Sequence, residues 1–162
     1  MRMRRLEEKD APFMLEWMHD ESVVEYLSAN FAAKTIDDCK AFIESSYTDT
    51  DVNMAVVNDD DEYMGTVSLK HIQDKTAEFA ITFRKCAMGQ GYSTYGIKKI
   101  IEYGLEELGL ESVYWCVSPD NARAVRFYDK NGYNRVDSAI LNIVGDYSPE
   151  QIEYFIWYQV CK

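Results

Sequence analysis

The sequence predicts an α+β, or mixed α/β, fold: one central, mostly antiparallel sheet flanked by helices. Three observations carry this reading. Residues 52–57 and 63–72 are β-prone runs joined by the turn Asn58-Asp59-Asp60-Asp61, which makes a hairpin. Ala77-Glu78-Phe79-Ala80-Ile81-Thr82-Phe83 alternates and adds a further strand after a turn at 73–75. That strand leads through a glycine loop into a helical pattern, with Ile97, Ile100, Ile101, Leu105 and Leu108 on one face and Gly109 closing it.

The remaining elements follow in order. Residues 1–6 alternate weakly and read as a short strand. Asp10-Ala11-Pro12 opens a first helix over 11–18, since proline fits the first helical turn. Val23, Val24, Tyr26 and Leu27 form a second short helical piece. Thr35-Ile36-Asp37-Asp38 is a capping box for a helix with apolar Ile36, Cys39, Phe42 and Ile43. Residues 110–117 are a strand, and a helix starts near Asn121. A strand is expected from 134 to about Ile140, then a loop through Gly145-Asp146-Tyr147-Ser148-Pro149, then a last strand over 152–160.

Composition bounds the function. The 162 residues read as a single domain, 1–162, with room for a sizeable core. The net charge is 17 − 28 = −11, which repels nucleic acid and anionic membranes and suits a cationic acceptor such as an amine. No apolar run approaches membrane length. The basic start Met1-Arg2-Met3-Arg4-Arg5 is followed by Glu7, Glu8 and Asp10, which argues against a signal peptide. Cys39, Cys86, Cys116 and Cys161 lack metal-ligand spacing, so no metal is expected, and they read as reduced thiols in cytoplasm. The acidic run Asp59-Asp60-Asp61-Glu62 lacks the glycine and terminal glutamate of a calcium loop and reads as a solvated turn.

The loop before the long helix carries the chemistry. Gly89 and Gly91 have no Cβ, so a ligand can approach the backbone there. The free N–H groups of the first helical turn and the helix dipole suit a phosphate or pyrophosphate. Taken alone, two glycines before a helix are also ordinary turn chemistry. The Rossmann fingerprint fails because Thr94 stands where its third glycine belongs, and no Gly-Lys-Ser/Thr follows for a P-loop.

A second stretch adds specificity: Ser118-Pro119-Asp120-Asn121-Ala122-Arg123-Ala124-Val125-Arg126-Phe127-Tyr128, then Asn131-Gly132-Tyr133. Together the two stretches resemble the GNAT superfamily of N-acetyltransferases over residues 77–133. Within it, Leu15-Glu16-Trp17-Met18-His19-Asp20 and the 121–133 segment look most like the ribosomal-protein-alanine acetyltransferase branch, which also includes acetylators of amino-sugars and polyamines. The family pattern Gln/Arg-x-x-Gly-x-Gly/Ala falls on residues 88–93, with Met88 in place of Arg or Gln and Ser93 in place of Gly or Ala. Ser93 is also an N-cap candidate.

The resemblance implies an acetyl-CoA-dependent N-acetyltransferase in which the amine attacks directly, with no acyl-enzyme. Its alternative is a non-catalytic acetyl-CoA-binding sensor or regulatory module. The acceptor is a small-molecule amine or a protein N-terminal amine, no nucleic acid or membrane takes part, and a homodimer is allowed. The Glu78 and Ser112 strands are expected to splay and leave a slot for the pantetheine arm. The early helices form much of the acceptor wall, with Trp17, Tyr26 and Phe31 as lining candidates. Implied cofactor contacts are Phe83, Arg84, Met88, Gly89, Gln90, Gly91, Tyr92, Ser93, Thr94, Asn121, Arg123, Ala124 and Tyr128.

Tyr128 matches the family tyrosine that protonates the coenzyme A thiolate; on its residues alone it reads as a core aromatic beside Phe127. Asn121 matches the residue that contacts the cofactor arm, and it is also a natural helix N-cap. Glu78 matches the strand carboxylate that takes the amine proton, directly or through water; otherwise it is an exposed strand carboxylate. His71 is a second base candidate because imidazole titrates near neutrality.

Overall fold

The computed structural model describes residues 1–27 and 29–162. Seven strands form one sheet: β1 (Arg2–Arg5), β2 (Val52–Val57), β3 (Tyr63–Gln73), β4 (Thr76–Phe83), β5 (Ser112–Val117), β6 (Asn134–Val136) and β7 (Ile156–Cys161). Their order is β1-β2-β3-β4-β5-β7-β6. Every pairing is antiparallel except β4 with β5. The helices are α1 (Ala11–Met18), α2 (Glu21–Val24), α3 (Ile36–Glu44), α4 (Tyr92–Glu102), α5 (Ala122–Lys130) and α6 (Pro149–Tyr154). The α+β expectation, one mostly antiparallel sheet with flanking helices, describes this architecture.

Strand alternation sends two sets of side chains to opposite faces of the sheet. On one face Val67, Leu69, Phe79, Phe83, Val113 and Trp115 pack under α4 and α5. On the other, Ala55, Val57 and Tyr63 pack with α1 and α3 through Met14, Trp17, Met18 and Cys39. Ile97 and Ile100 of α4 are fully buried, and each contributes about 2 kcal/mol of burial. Gly96 sets how closely α4 approaches the sheet: a Cβ there would lie 2.9 Å from Val67 Cγ1 and 3.1 Å from Phe83 Cζ.

The capping box at Thr35 forms as expected: Asp38 N donates to Thr35 Oγ1 at 3.3 Å and Thr35 N to Asp38 Oδ2 at 2.8 Å. α2 starts earlier than its apolar residues suggest, because Asp20 accepts from Ser22 N at 3.0 Å and caps it. The long helix does not run unbroken to Leu108. It widens into a π turn over Tyr103–Glu107, which Gly109 ends with φ +69.

Two C-terminal expectations are corrected. The strand after Tyr133 stops at Val136, where Asp137 caps a 3-10 turn by accepting from Ala139 N at 2.9 Å. Residues 152–155 are not strand, because α6 occupies Pro149–Tyr154. Ser148 and Gln151 form a capping box with Pro149 at the first helical position, and that outweighs the alternation of Ile152, Tyr154 and Ile156.

Candidate active site

β4 and β5 pair in parallel only at Thr76↔Ser112, Ala77↔Val113 and Glu78↔Tyr114. Beyond Glu78 the strands part, while β4 continues to Phe83 and β5 to Val117. The expected splay is therefore present. Beside the end of β4 lies a cleft of about 600 Å³, a size suited to a small-molecule ligand.

Four elements line the cleft. The end of β4 supplies Ile81, Thr82 and Phe83; the glycine loop and first turn of α4 supply Met88, Gly89, Gly91, Ser93 and Thr94. α5 contributes Asn121, Arg123, Ala124, Phe127 and Tyr128. The far wall is α2 with the residues after it, including Ser22, Glu25, Tyr26 and Leu27. Ten of the predicted contacts thus meet in one cleft: Phe83, Met88, Gly89, Gly91, Ser93, Thr94, Asn121, Arg123, Ala124 and Tyr128.

Arg84, Gln90 and Tyr92 lie outside that lining. Arg84 turns away to bind Glu16 through Nε (2.6 Å) and Nη2 (3.0 Å), and Glu62 and the Tyr63 carbonyl through Nη1. These carboxylates hold its guanidinium well above the usual arginine range, so it is a fixed tie between α1, the start of β3 and the glycine loop. Gln90 donates to the Cys86 carbonyl at 2.7 Å, and the Tyr92 ring packs on Phe83 at 6.3 Å. Trp17 is core rather than cleft wall: its indole donates to Tyr63 Oη at 3.0 Å and its ring packs edge-on against Phe31. Tyr26 does reach the cleft.

The loop geometry favours an anion. Gly91 is the N-cap of α4 with φ +85, a left-handed conformation that glycine adopts without a Cβ penalty. Ser93 sits inside the first turn and is not the N-cap. A Cβ built on Gly91 meets nothing within 4 Å, so open space lies beside the backbone where the helix dipole is positive. Met88 brings no charge, but Arg123 Nη1 of α5 lies 3.3 Å from Met88 Sδ. A guanidinium therefore stands beside the uncharged Met88. Asn121 fills both readings at once: its Oδ1 caps α5 by accepting from Ala124 N at 3.2 Å, and the residue lines the cleft.

Tyr128 is 6% exposed, with its ring among Trp115, Phe127, Tyr133 and Tyr158 at 5.1–6.1 Å. Burial pushes its phenol well above the usual tyrosine range, so it holds its proton at neutral pH. Glu78 is not an exposed strand carboxylate; it is 3% exposed. It shares the sheet face of Thr82 and Ala55, the face that carries α1 and α3. The Tyr147 hydroxyl donates to Glu78 Oε1, Cys116 Sγ lies 3.5 Å from Tyr147 Oη, and Glu78 Oε2 is buried without a hydrogen-bond partner. His71 Nε2 is 3.9 Å from Oε2. Tyr147 and Cys116 were not among the predicted site residues. Nothing local announces Tyr147, which lies 69 residues from Glu78 in the chain.

Residues 1–134 match the family profile described as "Acetyltransferase (GNAT) domain". The chain belongs to the GNAT acetyltransferase family. The spermidine N(1)-acetyltransferase of Escherichia coli K12 is 28% identical over 142 residues, 83% of this chain and 73% of that relative. A crystal structure of spermidine N-acetyltransferase from Vibrio cholerae in complex with CoA and spermine superposes with a TM-score of 0.78. It is 20% identical and covers 99% of this chain and 94% of its own. A GNAT acetyltransferase from Bacillus anthracis gives 0.75 at 20% identity, over 98% and 93% of the two chains.

This GNAT chain is an acetyl-CoA-dependent N-acetyltransferase, with acetyl-CoA as co-substrate. The residues present fit that group: an open glycine backbone at a helix N-terminus, a guanidinium beside it, and a cleft between the end of β4, α4 and α5. Among the described residues no cluster of His, Cys, Asp or Glu could hold a metal, and no helix is long and apolar enough to cross a membrane.

Proposed function

We propose that this GNAT enzyme acetylates a primary amine of a small polycation, by direct attack of the neutral amine. The observation that carries the reading is Glu78: a buried carboxylate with one unpartnered oxygen, at the last β4–β5 pair before the strands part. A buried free carboxylate oxygen draws a polycation by its charge and accepts the one proton that the neutral attacking amine sheds. Glu25 in the cleft wall and the net charge of −11 draw cations toward the mouth. The named relatives that act on spermidine support the same acceptor class.

Acetyl-CoA supplies an activated acetyl thioester. The chain's own residues do the rest. The backbone at Gly89 and Gly91, the first turn of α4 and the Arg123 guanidinium hold the phosphates. Asn121, Ala124 and Phe83 line the pantetheine path. Glu78 accepts the proton shed by the attacking amine, with His71 beside it. Tyr128 gives its phenolic proton to the departing thiolate. Burial keeps the proton on the phenol until the thiolate forms, and the same burial penalises a bare thiolate in this slot. We read residues 1–162 as one domain on the continuous seven-stranded sheet, working in the cytoplasm as a homodimer or larger symmetric assembly.

The test is calorimetric titration with coenzyme A, then a thiol-release assay over spermidine, spermine, an amino-sugar and a peptide with a free N-terminal alanine. Turnover of the two polyamines is expected. Binding without turnover on any amine overturns the reading in favour of a sensor. Turnover of the peptide or sugar alone overturns the acceptor class.

A further inference from the structure

The carboxylate of Glu78 is held from a part of the chain that the acetyltransferase motifs do not reach. The connection between β6 and α6 folds back over the parting of β4 and β5. It is anchored there by Val144 N, which donates to Tyr114 Oη at 3.4 Å, and it turns tightly before Tyr147, whose N donates to the Gly145 carbonyl at 2.9 Å. The Tyr147 ring is gripped edge-on by Phe155 (6.1 Å) and Trp157 (5.4 Å), and Trp157 is itself fixed by its indole bond to the Ile152 carbonyl at 2.9 Å. The ring therefore has one orientation.

The direction of each proton follows from chemistry. An ionised carboxylate only accepts, so the Tyr147 hydroxyl donates to Glu78 Oε1. A lone pair remains on that hydroxyl, and the Cys116 thiol, 3.5 Å away, points at it. Burial pushes that thiol up to about 11, so at neutral pH it carries the proton it donates. The chain Cys116–Tyr147–Glu78 spans β5, the connection and β4, and it consumes one carboxylate oxygen. Oε2 keeps its lone pairs. Gly145 leaves room beside it: a Cβ there would lie 3.1 Å from Oε2 and 2.8 Å from Tyr147 Cε2.

We infer that Tyr147 is a positioning residue for acetyl transfer: its phenol fixes Oε1 of Glu78 so that Oε2 alone faces the acceptor amine. A glutamate with both oxygens free samples several rotamers, and only some turn a lone pair toward an amine. The hydroxyl removes that freedom before the amine arrives. The inference rests on the reading of Glu78 as the base, and the experiment separates the two.

The experiment measures kcat and KM for the amine that the wild type acetylates fastest, with Tyr147→Phe, Glu78→Gln, the double variant and Gly145→Ala. Tyr147→Phe keeps the ring and its packing. It is expected to lower kcat roughly ten- to a hundredfold, in the range that misplacing a reacting group costs, with KM for acetyl-CoA unchanged. Glu78→Gln is expected to fall further, and adding Tyr147→Phe to it should change kcat by less than about twofold, because the phenol acts through the carboxylate. Gly145→Ala crowds both Oε2 and the ring and should also lower kcat; it decides the matter if Tyr147→Phe does not fold. Wild-type kcat in Tyr147→Phe beside a slow Glu78→Gln overturns the positioning role alone. An equal fall with and without Glu78 does the same, since a merely structural role is additive. Wild-type kcat in Gly145→Ala also overturns it. Wild-type kcat in Glu78→Gln, or no amine turned over by the wild type, overturns the base assignment and the positioning role together.

Discussion

Gly91 concentrates two demands in one residue: a left-handed backbone, φ +85, and empty space beside it facing the cleft. Gly91→Val adds side-chain bulk where phosphate must approach the N–H groups, and it strains a conformation that costs other residues about 1–2 kcal/mol. Acetyl-CoA binding should weaken by roughly tenfold or more, read by calorimetry on protein whose circular dichroism is unchanged. Equal affinity would remove the phosphates from this loop. Residues of this kind were legible beforehand because a glycine pair, an asparagine cap and a tyrosine at fixed spacing are local signals. Arg84 and Tyr147 were not. Arg84 stands next to the loop and was read as a contact, yet Glu16, 68 residues away, and Glu62 claim its side chain. Tyr147 acts on a carboxylate from the far end of the chain, and only the folded sheet brings them together.

At the scale of elements, α4 joins the cofactor loop to the core, and Gly96 is where they touch. Gly96→Val would drive methyl groups into Val67 and Phe83, both stiffly held in the core. Overpacking of this kind costs about 1–3 kcal/mol, so the denaturant midpoint should drop with an unchanged slope. A midpoint at or above that of the wild type would mean that the helix lies farther from the sheet. Most elements were readable from period alone: the hairpin of β2 and β3, the alternating β4, and the amphipathic α4. The end of the chain was misread because two patterns overlapped there. Ile152, Tyr154 and Ile156 alternate like a strand, but Ser148-Pro149-Glu150-Gln151 already contains a helix start. Capping settled the first six residues as α6, and β7 begins only at Ile156.

The whole molecule balances a strongly acidic surface against a few placed cations. Asp61 joins Arg2, Arg4 and Lys9 and ties β1 and the turn before α1 to the turn after β2. The hydrogen bond from Lys9, then that from Arg4, lowers its carboxyl from 3.8 to about 2. A depressed folded-state value stabilises above the unfolded one and is lost as pH falls through the folded one. Thermal stability should therefore decline between about pH 4 and pH 2, and Asp61→Asn should flatten part of that decline. An identical acid limb in both proteins would contradict it. The same scale carries the central claim: the cleft that Tyr128 lines, with Glu78 at the last β4–β5 pair, is proposed to transfer acetyl groups to amines. The most direct measurement is the rate of coenzyme A release from acetyl-CoA with spermidine, wild type against Tyr128→Phe. Removing only the phenolic oxygen should lower kcat by about 10²-fold, the low end for general acid catalysis because a thiolate leaves readily, with acetyl-CoA affinity unchanged. Equal kcat in the two proteins would contradict the assignment of Tyr128 as the acid.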